Sequence, residues 1–164
     1  MLNRRLAVAC ALGLTLACGS PPKPDRKLAK LTAQANGNPM LAPWSGPYGG
    51  VPPWDRVKAE LFPKAFESSL ALLLAEVDAI ANNPEPPQFG NVIAPLEDAG
   101  RHQNRAETLF GVLTGNLNTA DVQAVDREWS PKIAAAYDKI TFNEKLFARI
   151  TQVYAARETS GLTP

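Results

Sequence analysis

Few residues of this 164-residue chain have the side chains that chemistry needs. His102 is the single histidine and is followed by Gln103-Asn104-Arg105, so the sequence has no histidine pair to hold zinc and no His-Glu-x-x-His motif. In a polar helical run it reads as a solvated side chain. The two cysteines, Cys10 and Cys18, both fall in the first eighteen residues, where they give neither a disulfide framework nor a thiol nucleophile to the body of the chain. Two carboxylate pairs, Glu97 with Asp98 and Asp126 with Glu128, have the residue types for acid and base work. Residues one or two apart on a helix point in different directions, and nothing apolar flanks these to raise a pKa, so they read as surface charge. Catalytic residues: none; metal ligands: none.

One further stretch is chemically conspicuous. Asn38 to Val57, Asn-Pro-Met-Leu-Ala-Pro-Trp-Ser-Gly-Pro-Tyr-Gly-Gly-Val-Pro-Pro-Trp-Asp-Arg-Val, is too rich in Pro and Gly for a helix or a central strand. It lacks the Gly-Lys-Ser/Thr ending and the preceding strand of a phosphate loop. Trp44, Tyr48 and Trp54 could make an aromatic ligand box. The reading here is that they are buried anchors pinning an extended strap, residues 38–62, across helices.

Helices must supply those positions. From Pro63 to about Ala81, Phe66, Leu70, Leu73, Val77 and Ile80 recur at spacings of three and four, and Pro84-Glu85-Pro86-Pro87 forbids continuation. A second helix is expected from Asn91 to Leu117, weakened by Pro95 and three glycines. Thr119 caps a third, with a kink or restart at Ser130-Pro131, and Asn143 caps a fourth that ends at Ser160-Gly161. Thr163-Pro164 resembles the opening of another helix. The expected fold is all-α: about four long antiparallel-packed helices over residues 63–164, preceded by the strap.

The start of the chain has another character. Met-Leu-Asn-Arg-Arg precedes a short apolar run, too short to span a bilayer, that reads as a signal peptide over residues 1–17. Leu14-Thr15-Leu16-Ala17-Cys18 resembles the lipobox of bacterial lipoproteins, which implies lipid attachment at Cys18 and, with Gly19 after it, an outer-membrane lipoprotein facing the periplasm. Residues 18–37 then read as a lipid-attached tether, with Lys23, Arg26, Lys27 and Lys30 as solvated linker charge. From residue 18 onward there are 15 basic and 16 acidic side chains, which leaves no case for nucleic acid as a partner.

Three passages carry a second resemblance: Asn38 to Val57; Asp78 to Pro87 with Phe89, Asn91 and Ile93; and Asn143-Glu144-Lys145-Leu146-Phe147 through Thr163-Pro164. Together they are similar to the N-terminal region of zinc metallopeptidases of the thimet oligopeptidase family, on the bacterial peptidyl-dipeptidase branch. The resemblance implies the partial domain of a larger, two-lobed helical peptidase that admits short peptides and holds zinc on a later His-Glu-x-x-His helix. Gly90, where the family usually has glutamate, and Pro95 depart from it. The expected function is therefore the non-catalytic N-terminal part of an exported metallo-oligopeptidase, inactive alone. The alternative is a free-standing helical lipoprotein serving as a binding or scaffold module.

Overall fold

The computed structural model describes residues 26–48 and 50–159. Six α-helices follow one another: α1 (Arg26–Asn36), α2 (Phe62–Ala81), α3 (Phe89–Asp98), α4 (Arg101–Asn116), α5 (Ala120–Thr141) and α6 (Glu144–Ala155), with two 3₁₀ turns, Trp54–Arg56 and Ala59–Leu61, leading into α2. The fold is all-α, and no strand occurs among the described residues. Cys10, Cys18, the signal peptide and the expected helix opening at Thr163-Pro164 lie outside them.

α2 is the hub, packing against each of the other five helices. Its sequence explains this role: ten of its residues are buried, and they lie on more than one side of the helix. Phe62 and Phe66, both fully buried, stack at 5.6 Å between ring centroids. Phe110 of α4 meets them at 4.9 and 5.3 Å, the latter edge-to-face, and Trp129 of α5 closes on Phe66 at 5.8 Å. One contiguous apolar cluster runs from Ala35 of α1 to Val153 of α6. Within it, the Ser69 hydroxyl donates to Gln103 Oε1 at 2.5 Å and links the two fully buried polar side chains between α2 and α4, while Gln103 Nε2 is buried without a partner.

The caps act as the sequence anticipates. Thr119 accepts from the Val122 amide, and Asn143 accepts from the Leu146 amide at 3.0 Å. Asn91 sits two residues inside α3 rather than at its start; its Oδ1 accepts from the Gln88 amide at 2.8 Å and completes a capping box.

Four expectations are corrected. Residues 26–36, read as tether, form α1, because Leu28, Leu31 and Ala35 make a short apolar stripe that α2 can bury. The helix expected from Asn91 to Leu117 is two helices, broken at Ala99-Gly100. Gly100 takes φ +78°, a left-handed conformation that glycine adopts at little cost. Of the kink or restart expected at Ser130-Pro131, the restart is absent, since α5 runs through Pro131 as one helix. Pro131 is exposed, so the carbonyl it leaves unbonded one turn earlier faces water. Finally, α6 stops at Ala155, ahead of Ser160-Gly161.

Candidate functional site

Two clusters of polar contacts join parts of the chain far apart in sequence, and both involve the passages singled out above. The first is built around Arg149 of α6. Its position between Leu146, Ile150 and Val153 turns the guanidinium inward, where it is buried. Nη1 donates to the carbonyls of Asn83 and Glu85 at 2.7 and 3.0 Å, and Nη2 donates to Asn91 Oδ1 at 3.3 Å. Asn91 in turn donates through Nδ2 to the carbonyl of Pro86 at 2.9 Å. Lys145, one turn earlier, donates to Asn82 Oδ1 at 2.6 Å. The Pro-rich connection between α2 and α3 cannot bond its carbonyls into a helix, and a planar five-donor fork is suited to collecting them.

The second cluster holds the strap. Asn38 closes a turn by accepting the Met40 amide at 2.9 Å, which drives Met40 and Leu41 into the core. Arg105 of α4 donates to the Leu41 carbonyl at 2.8 Å, and His102 Nε2 meets Asn36 Oδ1 at 2.9 Å at the end of α1. His102 is therefore a half-buried link rather than a solvated side chain. Burial, with the Arg105 charge beside it, pushes its imidazole below the usual histidine range, and Nδ1 is buried without a partner.

The aromatic anchors of the strap are another correction. Trp44 is half-buried against the core, but Trp54 is 44% exposed and Tyr48 fully so. Ser45 and Val51 form a lone β-bridge, with the Val51 amide donating to the Ser45 carbonyl at 2.9 Å. Gly50 makes that hairpin possible: a Cβ there would lie 2.7 Å from the Trp44 carbonyl oxygen. Tyr48 sits near its tip at φ 59°. Apolar Met40 and Leu41 are the real anchors, since neither carries a polar atom that burial would strand.

The carboxylate pairs do not converge. Asp98 pairs with Arg101, Glu128 with Lys132 at 2.7 Å, and Asp126 accepts from Ser130 at 2.6 Å, all at exposed positions. The carboxylate that does occupy a recess is Glu76 of α2, which the sequence reading passed over. It lines a groove of about 410 Å³ with Leu28, Asn83, Asn91 and Asp98. Oε2 accepts the Gly100 amide at 2.8 Å. Burial pushes the carboxyl above the usual glutamate range and outweighs that hydrogen bond. Only the charge-in-an-apolar-stripe pattern, Glu76 beside Val77 and Ile80, could have pointed to it.

Among the described residues, no three His, Cys, Asp or Glu side chains come together as metal ligands. The donor set present does not fit zinc, and no step of a metal-assisted hydrolysis can be derived from these residues. No described helix is long and apolar enough to cross a membrane. Instead the surface presents aromatics: Phe142 just past α5, and Phe147 and Tyr154 two turns apart on α6, are 77, 68 and 65% exposed.

Against known proteins, no family model matches the chain. It aligns with the dipeptidyl carboxypeptidase of Escherichia coli (strain K12), 33% identical over 125 residues. The chain is a partial homologue of dipeptidyl carboxypeptidase. The dipeptidyl carboxypeptidase of Salmonella typhimurium aligns over the same length at 32% identity. Each match covers 76% of this chain and 18% of the relative. The chain thus spans under a fifth of the curated relatives it matches, and the relation is to a peptidase region.

Proposed function

We propose that the chain is the N-terminal, non-catalytic part of an exported, zinc-dependent metallo-oligopeptidase of the peptidyl-dipeptidase type, acting on short peptides. The observation that carries this reading is the 125-residue alignment with dipeptidyl carboxypeptidase. Its physical role is to form a helical unit of the larger enzyme, with the strap and the exposed aromatics as the surfaces that meet the rest. Zinc and the hydrolytic residues belong to other parts of that enzyme. At the other end, the Leu14-Thr15-Leu16-Ala17-Cys18 sequence supports a lipid anchor at Cys18 and an outer-membrane location facing the periplasm.

Three measurements test the reading. The purified chain, with zinc added, should release no products from short peptides; hydrolysis that tracks the protein through purification would contradict it. The reading frame of the DNA beyond codon 164, in frame or shifted, should encode His-Glu-x-x-His. Palmitate labelling that persists in Cys18→Ala would dispose of the anchor.

One observation favours a second reading, the free-standing binding or scaffold lipoprotein. The aromatic rings of Phe62, Phe66, Phe110 and Trp129 pack on one another among the described residues, as a self-sufficient core would have them. That reading expects a cooperative melt and a monomer that leaves hydrophobic dyes dark.

A further inference from the structure

Charge is divided unevenly along the sequence. Residues 19–54 carry four cations, Lys23, Arg26, Lys27 and Lys30, against the single carboxylate Asp25, a net +3. Residues 55–164 carry 11 cations and 15 carboxylates, a net −4. In a flexible linker such a division would have no geometry. The structure supplies one, because Arg26, Lys27 and Lys30 lie on α1, and α1 is docked. At 100° per residue Arg26 and Lys30 fall on the side opposite Leu28, Leu31 and Ala35, which pack against the core, and both are exposed, while Lys27 lies on the flank beside Leu31. The His102–Asn36 contact pins the far end of the helix. α1 contains no acidic residue, and two of its cations stand in the first turn, where the helix macrodipole disfavours positive charge. On the outward side, Arg26 serves an external anion better than it serves the helix.

We infer that the outer face of α1, formed by Arg26 and Lys30, is a docking surface for anionic lipid headgroups that orients the domain on the membrane. The inference rests on the proposed anchor at Cys18. Arg26 is eight positions beyond that cysteine, so even a fully extended chain keeps it within at most about 29 Å of the acylated residue. A lipid anchor combined with a basic patch is the pairing that makes membrane attachment stable. The net-negative remainder of the chain is repelled by the same surface, so the anionic lipid selects one orientation. The acylated chain would touch the membrane with α1 and turn the α5 and α6 surface elsewhere.

The test uses the full chain, acylated in a bacterial host, purified in detergent and reconstituted into phosphatidylcholine vesicles with or without phosphatidylglycerol. With Cys18 acylated and Cys10 removed with the leader, a fluorophore can be placed at Gln34→Cys, one turn beyond Lys30 on the same face, or at Lys139→Cys on α5 as control. A headgroup-attached quencher should dim the Gln34 label only in phosphatidylglycerol vesicles. About 1 M salt, where the Debye length is near 3 Å, should abolish the effect, as should Arg26→Glu with Lys30→Glu. The label at residue 139 should stay bright throughout. Quenching at residue 34 that ignores lipid charge, salt and charge reversal, or no quenching in either vesicle, overturns the surface. The mass of the N-terminal peptide reads the anchor separately: an unacylated Cys18 refutes the anchor, and with it the proximity on which this surface depends. Matching melts of the charge-reversed and parent chains exclude unfolding as a cause.

Discussion

Arg149 donates a 2.7 Å hydrogen bond to the carbonyl of Asn83, 66 residues away, and so ties the last described helix to the connection that leaves the central one. The guanidinium is buried and has no carboxylate partner among its described contacts. It serves as a bracket for a proline-rich loop whose carbonyls have no helical partner. Replacing Arg149 by Met should cost about 1–3 kcal/mol of unfolding free energy by urea titration, since it removes the donor to the Asn83 and Glu85 carbonyls, whereas Asn91 Oδ1 keeps the Gln88 amide. Lys should recover part of the loss, because one ammonium cannot span all three acceptors. A loss below about 0.5 kcal/mol, the range of ordinary surface changes, would contradict the bracket.

Gly100 separates α3 from α4 with φ +78°, and a Cβ there would approach Leu73 Cδ1 at 3.1 Å. Gly100→Ala should therefore destabilise by about 1–2 kcal/mol, mostly from the left-handed backbone. An unchanged melting temperature would mean that α3 and α4 run on as one helix.

His102 gives the chain a pH dependence of definite sign. Its folded-state pKa lies below the ordinary 6.5, so the unfolded chain binds the proton more readily. The contribution to stability is complete above pH 6.5 and is lost as pH falls through the folded value. Protonation would also place an N–H at Nδ1, where no acceptor waits. Unfolding titrations at neutral and mildly acidic pH should show this loss in the parent chain and a flatter profile in His102→Gln; identical profiles would remove His102 from the link to α1.

The exposed aromatics of α5 and α6 should bind hydrophobic dyes and promote self-association of the isolated chain. Phe147→Asn combined with Tyr154→Asn should reduce both and shift stability by less than about 0.5 kcal/mol, as expected of surface positions. A compact monomer that leaves dyes dark before any substitution would favour the free-standing lipoprotein.

These contacts mark how far the sequence could be read. The α2 stripe and the caps at Thr119 and Asn143 were legible because period and capping chemistry are local. α1 was not, since Leu28, Leu31 and Ala35 become an apolar face only once α2 lies beside them. The break at Gly100 was hidden inside a helical period that continues across it. Arg149 could not be singled out, because its burial is decided by carbonyls more than sixty residues earlier. In the strap the aromatics attracted attention while Met40 and Leu41 took the buried positions, because Asn38 turns the chain before the first tryptophan. The carboxylate pairs were read as surface charge, and each is exposed.

The central claim, that this sequence is the front of a peptidase, is tested most directly on the endogenous product. Antibody against α5 should capture from cells a polypeptide several times the mass of the 164 residues, with bound zinc and chelator-sensitive release of dipeptides from short peptides. A captured product of about the mass of the 164 residues, without zinc and without hydrolysis, would contradict the claim and leave a helical lipoprotein that acts by binding.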